Sequence, residues 1–153
     1  DRPWGAGFTY DEAMLMGDSP LGAAKAAALV SGLAGLMGLA AVGPARGLLN
    51  RMLPKPGEGP SPDQQESGFF DLCFFGTTAS GGTITTKVTG DRDPGYGSTA
   101  KMLAESATTL LATDRDETTG TPGGFWTPAT AMGDRLIEAL VEHAGLTFEA
   151  VDG

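Results

Sequence analysis

The residues best suited to chemistry are concentrated between Gly90 and Leu103, in the run GDRDPGYGSTAKML. The run ends in helix-forming sequence, and the backbone amides at a helix N-terminus can hold a carboxylate or a phosphate. The same residue types also build a strand-to-helix corner, in which Ser98 or Thr99 caps the helix and the glycines turn the chain. Both interpretations are open, and the composition favours the corner.

Three side chains of this run are candidates for substrate contact: Asp93, Tyr96 and Lys101. Lys101 falls in the first turn of the predicted helix, where a cation opposes the helix dipole. We therefore expect it to pair with Asp93 or with an anionic ligand. As substrate contacts, Tyr96 would hydrogen-bond a polar group, and Lys101 would meet a carboxylate or a carrier phosphate. Asp91, Arg92 and Asp93 also fit a solvated charge cluster or a local salt-bridge corner, and no catalytic residue is assigned.

Other groups that could react have structural interpretations. The single cysteine, Cys73, and the single histidine, His143, exclude an internal disulfide and a histidine-rich metal site. Cys73, in FFDLCFF, is predicted to be a buried apolar residue, and His143 is predicted to face a helix C-terminus. Asp71, in the same stretch, either faces water or has a buried partner. We expect no metal site in this chain.

A dinucleotide site is also not expected in this chain. Gly32, Gly35 and Gly38 match a variant of the dinucleotide-binding spacing, but the residues before them form a predicted helix rather than a buried strand. The glycines are better explained as close-packing positions in that helix. We therefore expect no cofactor to be bound by these residues.

The distribution of charge limits the classes of partner. The formal net charge is −9; residues 1–53 hold four acids and four bases, and residues 54–153 hold fifteen acids and six bases. An acidic surface repels phosphate backbones, so we expect no nucleic-acid binding. One cysteine and no disulfide framework favour a reducing, cytoplasmic location.

A long apolar helix is predicted over residues 21–42, and it continues over 45–53 after a kink at Pro44. Its small residues recur at four-residue spacing, which favours burial against another helix or at a dimer interface. The apolar run is also near the length of a membrane span and is followed by Arg46, Arg51 and Lys55. Lipid contact and a true span are therefore the alternatives.

The remaining pattern predicts an α+β fold, with an antiparallel hairpin-based sheet packed against helices. We expect one domain with three parts: a strand at 7–10 and the apolar helix within 1–53, a proline- and glycine-rich loop at 54–67 with neither helix nor central strand, and a compact part at 68–153. Within 68–153, strands are predicted at 68–76 and 83–89, the first being the more central, and a third strand is predicted at 146–151. A helix is predicted at 98–112, with a stripe of alanines and leucines that faces the core. After a loop at 113–124, a second helix is predicted from Pro128 to Ala144, capped by Thr127.

Several blocks together resemble one known family. They are Trp4–Gly5 with Phe8–Tyr10 and Glu12, PKPGEGPS at 54–61, the block Gly90–Met102, and GGFWTPA at 123–129 followed by a helix and LTFE at 146–149. This set resembles the C-terminal part of the saccharopine dehydrogenase-like oxidoreductases, and within them the bacterial branch that includes trans-acting enoyl reductases of lipid synthesis. The resemblance extends over nearly the whole chain.

The resemblance implies that the intact enzyme carries an N-terminal Rossmann domain that binds NAD or NADP. The chain, which begins at Asp1 rather than at Met, would then be a fragment from the substrate-side and dimerisation region, inactive alone and without a cofactor of its own. Its partners would be that Rossmann domain and a second copy. The alternative function is a noncatalytic module that binds a membrane, a lipid surface or a partner through the apolar helix.

Overall fold

The computed structural model describes residues 7–55, 57–113 and 124–151. The chain divides into two compact units, Asp1–Glu58 and Gly59–Gly153. Each unit has its own secondary structure and is considered by itself. The predicted loop at 113–124 lies, apart from its two ends, outside the described residues.

The described residues of the first unit form two helices, α1 (Pro20–Ala41) and α2 (Gly43–Met52). The Ser19 hydroxyl accepts a hydrogen bond from the Gly22 amide at 3.1 Å, and Pro20 occupies the first turn, where it removes no helical hydrogen bond. Extended backbone at Val42 separates the two helices. The predicted long helix and its continuation after a break are confirmed.

The strand predicted at 7–10 is wrong. No strand forms from Gly7 to Asp18, and the Tyr10 hydroxyl instead donates to the Glu12 carboxylate at 2.9 Å. A strand needs a neighbour for its backbone groups, and the described part of the first unit offers no second strand.

The surface of α1 is almost entirely exposed, and Gly22 is its only buried residue. Its large apolar side chains are all at least 45% exposed: Leu21, Leu29, Val30, Leu33, Leu36, Met37 and Leu39. Among the described residues, α1 is the one helix long and apolar enough to cross a membrane. The described part of the chain therefore does not itself provide the burial that such a helix needs.

The second unit begins with a short helix, α3 (Pro62–Ser67), inside the segment predicted as a loop. The Ser61 hydroxyl accepts from the Gln64 amide at 3.2 Å, and the Gln64 side chain accepts from the Ser61 amide at 2.9 Å. This reciprocal capping box, with Pro62 at the first position, offsets the poor helix propensity of the preceding prolines. The loop prediction is therefore wrong for these last residues.

Three antiparallel strands form one sheet in the order β1 (Phe70–Thr77), β2 (Thr83–Gly90) and β3 (Leu146–Val151). The register places Val88 between Leu72 and Phe148. The predicted hairpin and the α+β class are confirmed. The expectation that β1 is the more central strand is wrong, because β3 pairs with the free edge of β2 and leaves β1 at the edge.

The two faces of this sheet differ in polarity, because alternate residues of a strand point to opposite sides. The apolar face carries Phe70, Leu72, Phe74, Ile84, Thr86, Val88, Leu146, Phe148 and Ala150. The polar face carries Asp71, whose carboxylate lies 2.9 Å from the Lys87 ammonium, so Asp71 has an exposed partner. Cys73 lies on the same polar face and is exposed, so its predicted burial is wrong.

The described residues of the second unit form three helices besides α3: α4 (Gly97–Ala112), α5 (Pro128–Met132) and α6 (Asp134–His143). The Thr127 cap, Pro128 at the first position and His143 in the last turn are as predicted. The prediction of one continuous helix from 128 to 144 is wrong. Gly133, at φ +52°, interrupts it with a backbone conformation that other residues rarely adopt.

The core lies at one end of the apolar face. Its buried residues are Met132, Leu136, Leu140, Ala144 and Leu146, and Phe70, Met102 and Ala131 pack against them. The α4 helix meets α6 through the side that carries Met102, so the predicted inward stripe is wrong. Leu103 and Leu111, which belong to that stripe, are 70% and 88% exposed. The rest of the apolar sheet face is also open.

Candidate functional site

The candidate site is the corner between β2 and α4, residues 91–96, and its backbone is held from two sides. The Asp93 amide donates to the carbonyl of Gln65 in α3 at 3.0 Å. Ser98 is fully buried; its amide donates to the Asp93 carbonyl at 2.8 Å and its hydroxyl to the Arg92 carbonyl at 3.0 Å. These bonds fix the backbone conformation of the corner from which the candidate side chains project.

The Asp93 carboxylate caps the N-terminus of α4. It accepts hydrogen bonds from the amides of Gly95 at 3.1 Å, Tyr96 at 2.7 Å and Gly97 at 3.0 Å. These bonds, those from Gly97 and Tyr96 foremost, lower the pKa of Asp93 below its usual value because they stabilise the ionised form. Three successive amides that lead into α4 are therefore already donated to the Asp93 carboxylate and are not free for an external phosphate or carboxylate.

Neither predicted capping hydroxyl serves as the cap. The Ser98 hydroxyl donates to a carbonyl, and the Thr99 hydroxyl donates to the Pro94 carbonyl at 2.6 Å. Both hydroxyls thus act as donors that fasten the corner, and the carboxylate five residues before Ser98 supplies the acceptor. The sequence signal was present, because an aspartate before a proline commonly accepts from amides that follow it.

Lys101 pairs with Asp91. Its ammonium lies 2.6 Å from a carboxylate oxygen of Asp91, across the first turn of α4. The expected partner was Asp93 or an anionic ligand, and the structure gives Asp91 instead because the Asp93 carboxylate is directed to the helix amides. Asp91 in turn lies against Gly145, where a Cβ would overlap its carboxylate. This contact links the corner to the turn between α6 and β3.

Tyr96 is the most open of the three candidates. Its side chain is 56% exposed, and its ring lies over Gly59, where a Cβ would stand 3.3 Å from the ring. Within the described ranges, no hydrogen bond is formed by its hydroxyl. The structure thus joins the Tyr96 amide to the Asp93 carboxylate, whereas it pairs Lys101 with Asp91. The substrate contact of Asp93, Tyr96 and Lys101 stays a prediction.

A shallow depression of about 200 Å³ opens beside the corner, lined by Pro62, Gln65, Glu66, Arg92, Gly97 and Lys101. Its two cations are each close to a carboxylate: Arg92 lies 3.4 Å from Glu66, and Lys101 pairs with Asp91. The depression is therefore nearly balanced in charge. Gln65 and Glu66 were not foreseen as site residues because α3 was predicted as loop, although the S-P-D-Q sequence at 61–64 fits a capping box. No cluster of three or more metal-ligating side chains occurs in the parts of the chain that the structure describes.

Comparison with known proteins relates the chain to reductases. It is 38% identical over 97% of its length to a Mycobacterium tuberculosis protein whose name provisionally assigns it as a trans-acting enoyl reductase. It is also 38% identical over 90% of its length to a trans-acting enoyl reductase of Mycobacterium bovis, and 37% identical over 92% to one of Mycobacterium ulcerans. No protein-family model and no solved structure matches the chain significantly.

These similarities fit an enoyl-reductase-like family. The chain spans only about a third of the length of these relatives: 36%, 33% and 34%, respectively. The relatives thus extend well beyond the matched region, which is consistent with a further domain in a longer protein.

Proposed function

We propose that the chain is the substrate-side and dimerisation region of an NAD(P)-dependent, saccharopine dehydrogenase-like oxidoreductase that reduces an enoyl group in lipid metabolism. The observation that carries this proposal is the 38% identity over 97% of the chain to a reductase about three times as long. A hydride from NAD(P)H would be delivered to one carbon of the double bond and a proton to the other, with the cofactor held by a Rossmann domain elsewhere in the longer protein.

The open part of the apolar sheet face supports a docking role for the second unit. Leu72, Phe74, Ile84 and Phe148 share this face and are 49%, 43%, 59% and 37% exposed. A cluster of this size usually marks an interaction surface, because exposed apolar area in water is unfavourable. We assign this surface to the remainder of the longer protein, which would close the active site between two domains. A second copy of the protein would bind through a different surface. The protein would be located in the cytoplasm.

At the corner, we propose that Tyr96 contacts the substrate. Its exposed hydroxyl would donate to a polar oxygen such as the carbonyl conjugated to the double bond, while Asp93 holds the turn that presents it. Lys101 would reach a substrate carboxylate or a carrier phosphate by exchanging Asp91 for that anion. Such an exchange is accessible because the Lys101–Asp91 pair is partly exposed and therefore weak.

The experiment is NADH and NADPH oxidation by the full-length protein over acyl, enoyl and amino-acid substrates. We expect turnover with enoyl substrates, none by the 153-residue chain alone, and a lower kcat/KM in Tyr96→Phe with unchanged cofactor binding. Turnover by the chain alone would contradict the proposal, as would a full-length protein that oxidises neither cofactor with any substrate.

A further inference from the structure

We propose that the first unit inserts into a lipid bilayer with anionic headgroups, with α1 in the hydrocarbon region and α2 at the headgroups. The residues of this surface belong to the first unit, whereas the corner and the apolar sheet face belong to the second. The inference therefore does not depend on the proposed enzymatic function.

The length and surface of α1 fit the hydrocarbon region. Its 22 residues extend about 33 Å at 1.5 Å per residue, close to the roughly 30 Å thickness of that region. After Lys25 it carries no charge; one side presents large apolar residues such as Leu29, Leu33 and Leu36, and the other presents alanine, glycine and one serine. A helix apolar on all sides requires burial, and a bilayer provides it without leaving backbone groups unpaired.

The α2 helix is amphipathic and fits the headgroup layer. Helical spacing puts Ala45, Leu48, Leu49 and Met52 on one side and Arg46, Asn50 and Arg51 on the other. Neither arginine has an ion pair with any residue that the structure describes. An apolar side of this kind lies in the acyl boundary while the arginines reach lipid phosphates.

The distribution of charge selects anionic lipid over a protein partner. No acidic residue occurs between Asp18 and Glu58, and the segment carries Lys25, Arg46, Arg51 and Lys55 in a chain whose net charge is −9. A second copy or another domain would bury the apolar side chains of α1, but it would not require this cationic segment. Basic residues directly after an apolar helix are attracted to the negative surface of a membrane.

The test is flotation of the full 153-residue chain with vesicles of phosphatidylcholine alone and of phosphatidylcholine with phosphatidylglycerol. We expect binding to both, stronger to the anionic vesicles. Leu33→Lys should weaken binding by about tenfold or more, because a cation at the centre of the helix is costly in hydrocarbon. Leu111→Lys, at an exposed leucine of the second unit, is the matched control and should bind as the unaltered chain does. Arg46→Glu with Arg51→Glu should abolish the preference for anionic vesicles.

Thermal unfolding of the second unit should be the same in all these variants, which separates lipid binding from misfolding. The inference is overturned if the unaltered chain does not float, if Leu33→Lys and Leu111→Lys bind equally, or if the anionic preference survives loss of both arginines. A lipid-free dimer that Leu33→Lys dissociates, with no vesicle binding, would assign α1 to a second copy instead.

Discussion

Replacing Gly145 by alanine should destabilise the second unit through two separable effects. Gly145 lies just after α6 at φ +70°, a left-handed conformation in which a Cβ clashes with the backbone. Alanine also lowers the conformational entropy of the unfolded chain, which offsets part of this strain, so the net backbone cost is about 1 kcal/mol. The added Cβ would also overlap the Asp91 carboxylate, which must swing away from Lys101. Loss of this partly exposed ion pair adds about 0.2–1 kcal/mol.

The total of about 1–2 kcal/mol should lower the melting temperature by about 4–16 °C for a unit of this size. A double-mutant cycle isolates the second effect: in an Asp91→Ala background, Gly145→Ala should cost only the backbone term. The measurement is thermal unfolding of the four proteins. Gly133→Ala is the control, since a Cβ there meets no atom within 4 Å and should show no coupling to Asp91. Zero coupling between Gly145 and Asp91 would refute the proposed link.

Further predictions concern the cap, the core and the candidate substrate contact. Asp93→Ala should lower the melting temperature at neutral pH; because folding lowers the pKa of Asp93, the difference from the unaltered chain should be constant above the unfolded pKa and should diminish as pH falls through the folded pKa. Asp93→Asn, which also lacks the ionisable carboxyl group, should show the same pH step in its difference from the unaltered chain. Leu140→Ala, at a core position 7% exposed, should cost about 2–5 kcal/mol in denaturant unfolding, while Leu111→Ala, at 88% exposed, should stay within about 0.5 kcal/mol. Equal costs would contradict the described core. Tyr96→Phe should leave the melting temperature unchanged, because no hydrogen bond of that hydroxyl is found among the described residues; a marked destabilisation would assign Tyr96 to the corner alone.

Local signals in the sequence located most elements. Pro20, Thr127 and Pro128 indicated the helix starts, and the alternation in 68–76 and 83–89 indicated the hairpin. Strand order could not be predicted, because it depends on the pairing of β3 with β2 across a separation of more than fifty residues. The inward side of α4 was wrong for a related reason: its leucines form the stronger pattern, but α6 packs against the side of Met102.

At the corner, the sequence identified the residues but not their pairs. Asp91 and Asp93 were predicted to share a charge cluster, and Lys101 was expected to pair with Asp93 or an anionic ligand rather than with Asp91. Which carboxylate caps the helix depends on the direction of the chain after Gly90. That direction is set by the Asp93 amide bonding to α3, an element the sequence did not predict. The exposure of Cys73 likewise follows from strand register, which places it opposite Lys87 on the polar face.

The most direct test of the account compares the labelling of two adjacent thiols on opposite faces of β1. Cys73 lies on the polar face, and Leu72→Cys in a Cys73→Ser background places the thiol on the open apolar face. In the chain alone, both thiols should react readily with a soluble disulfide reagent, since both positions are exposed. In the full-length protein, the thiol at 72 should react at least about tenfold more slowly than in the chain alone, because the proposed docking covers the apolar face. Cys73, on the polar face, should stay reactive. Equal labelling of position 72 in both proteins would contradict the proposed docking of this face.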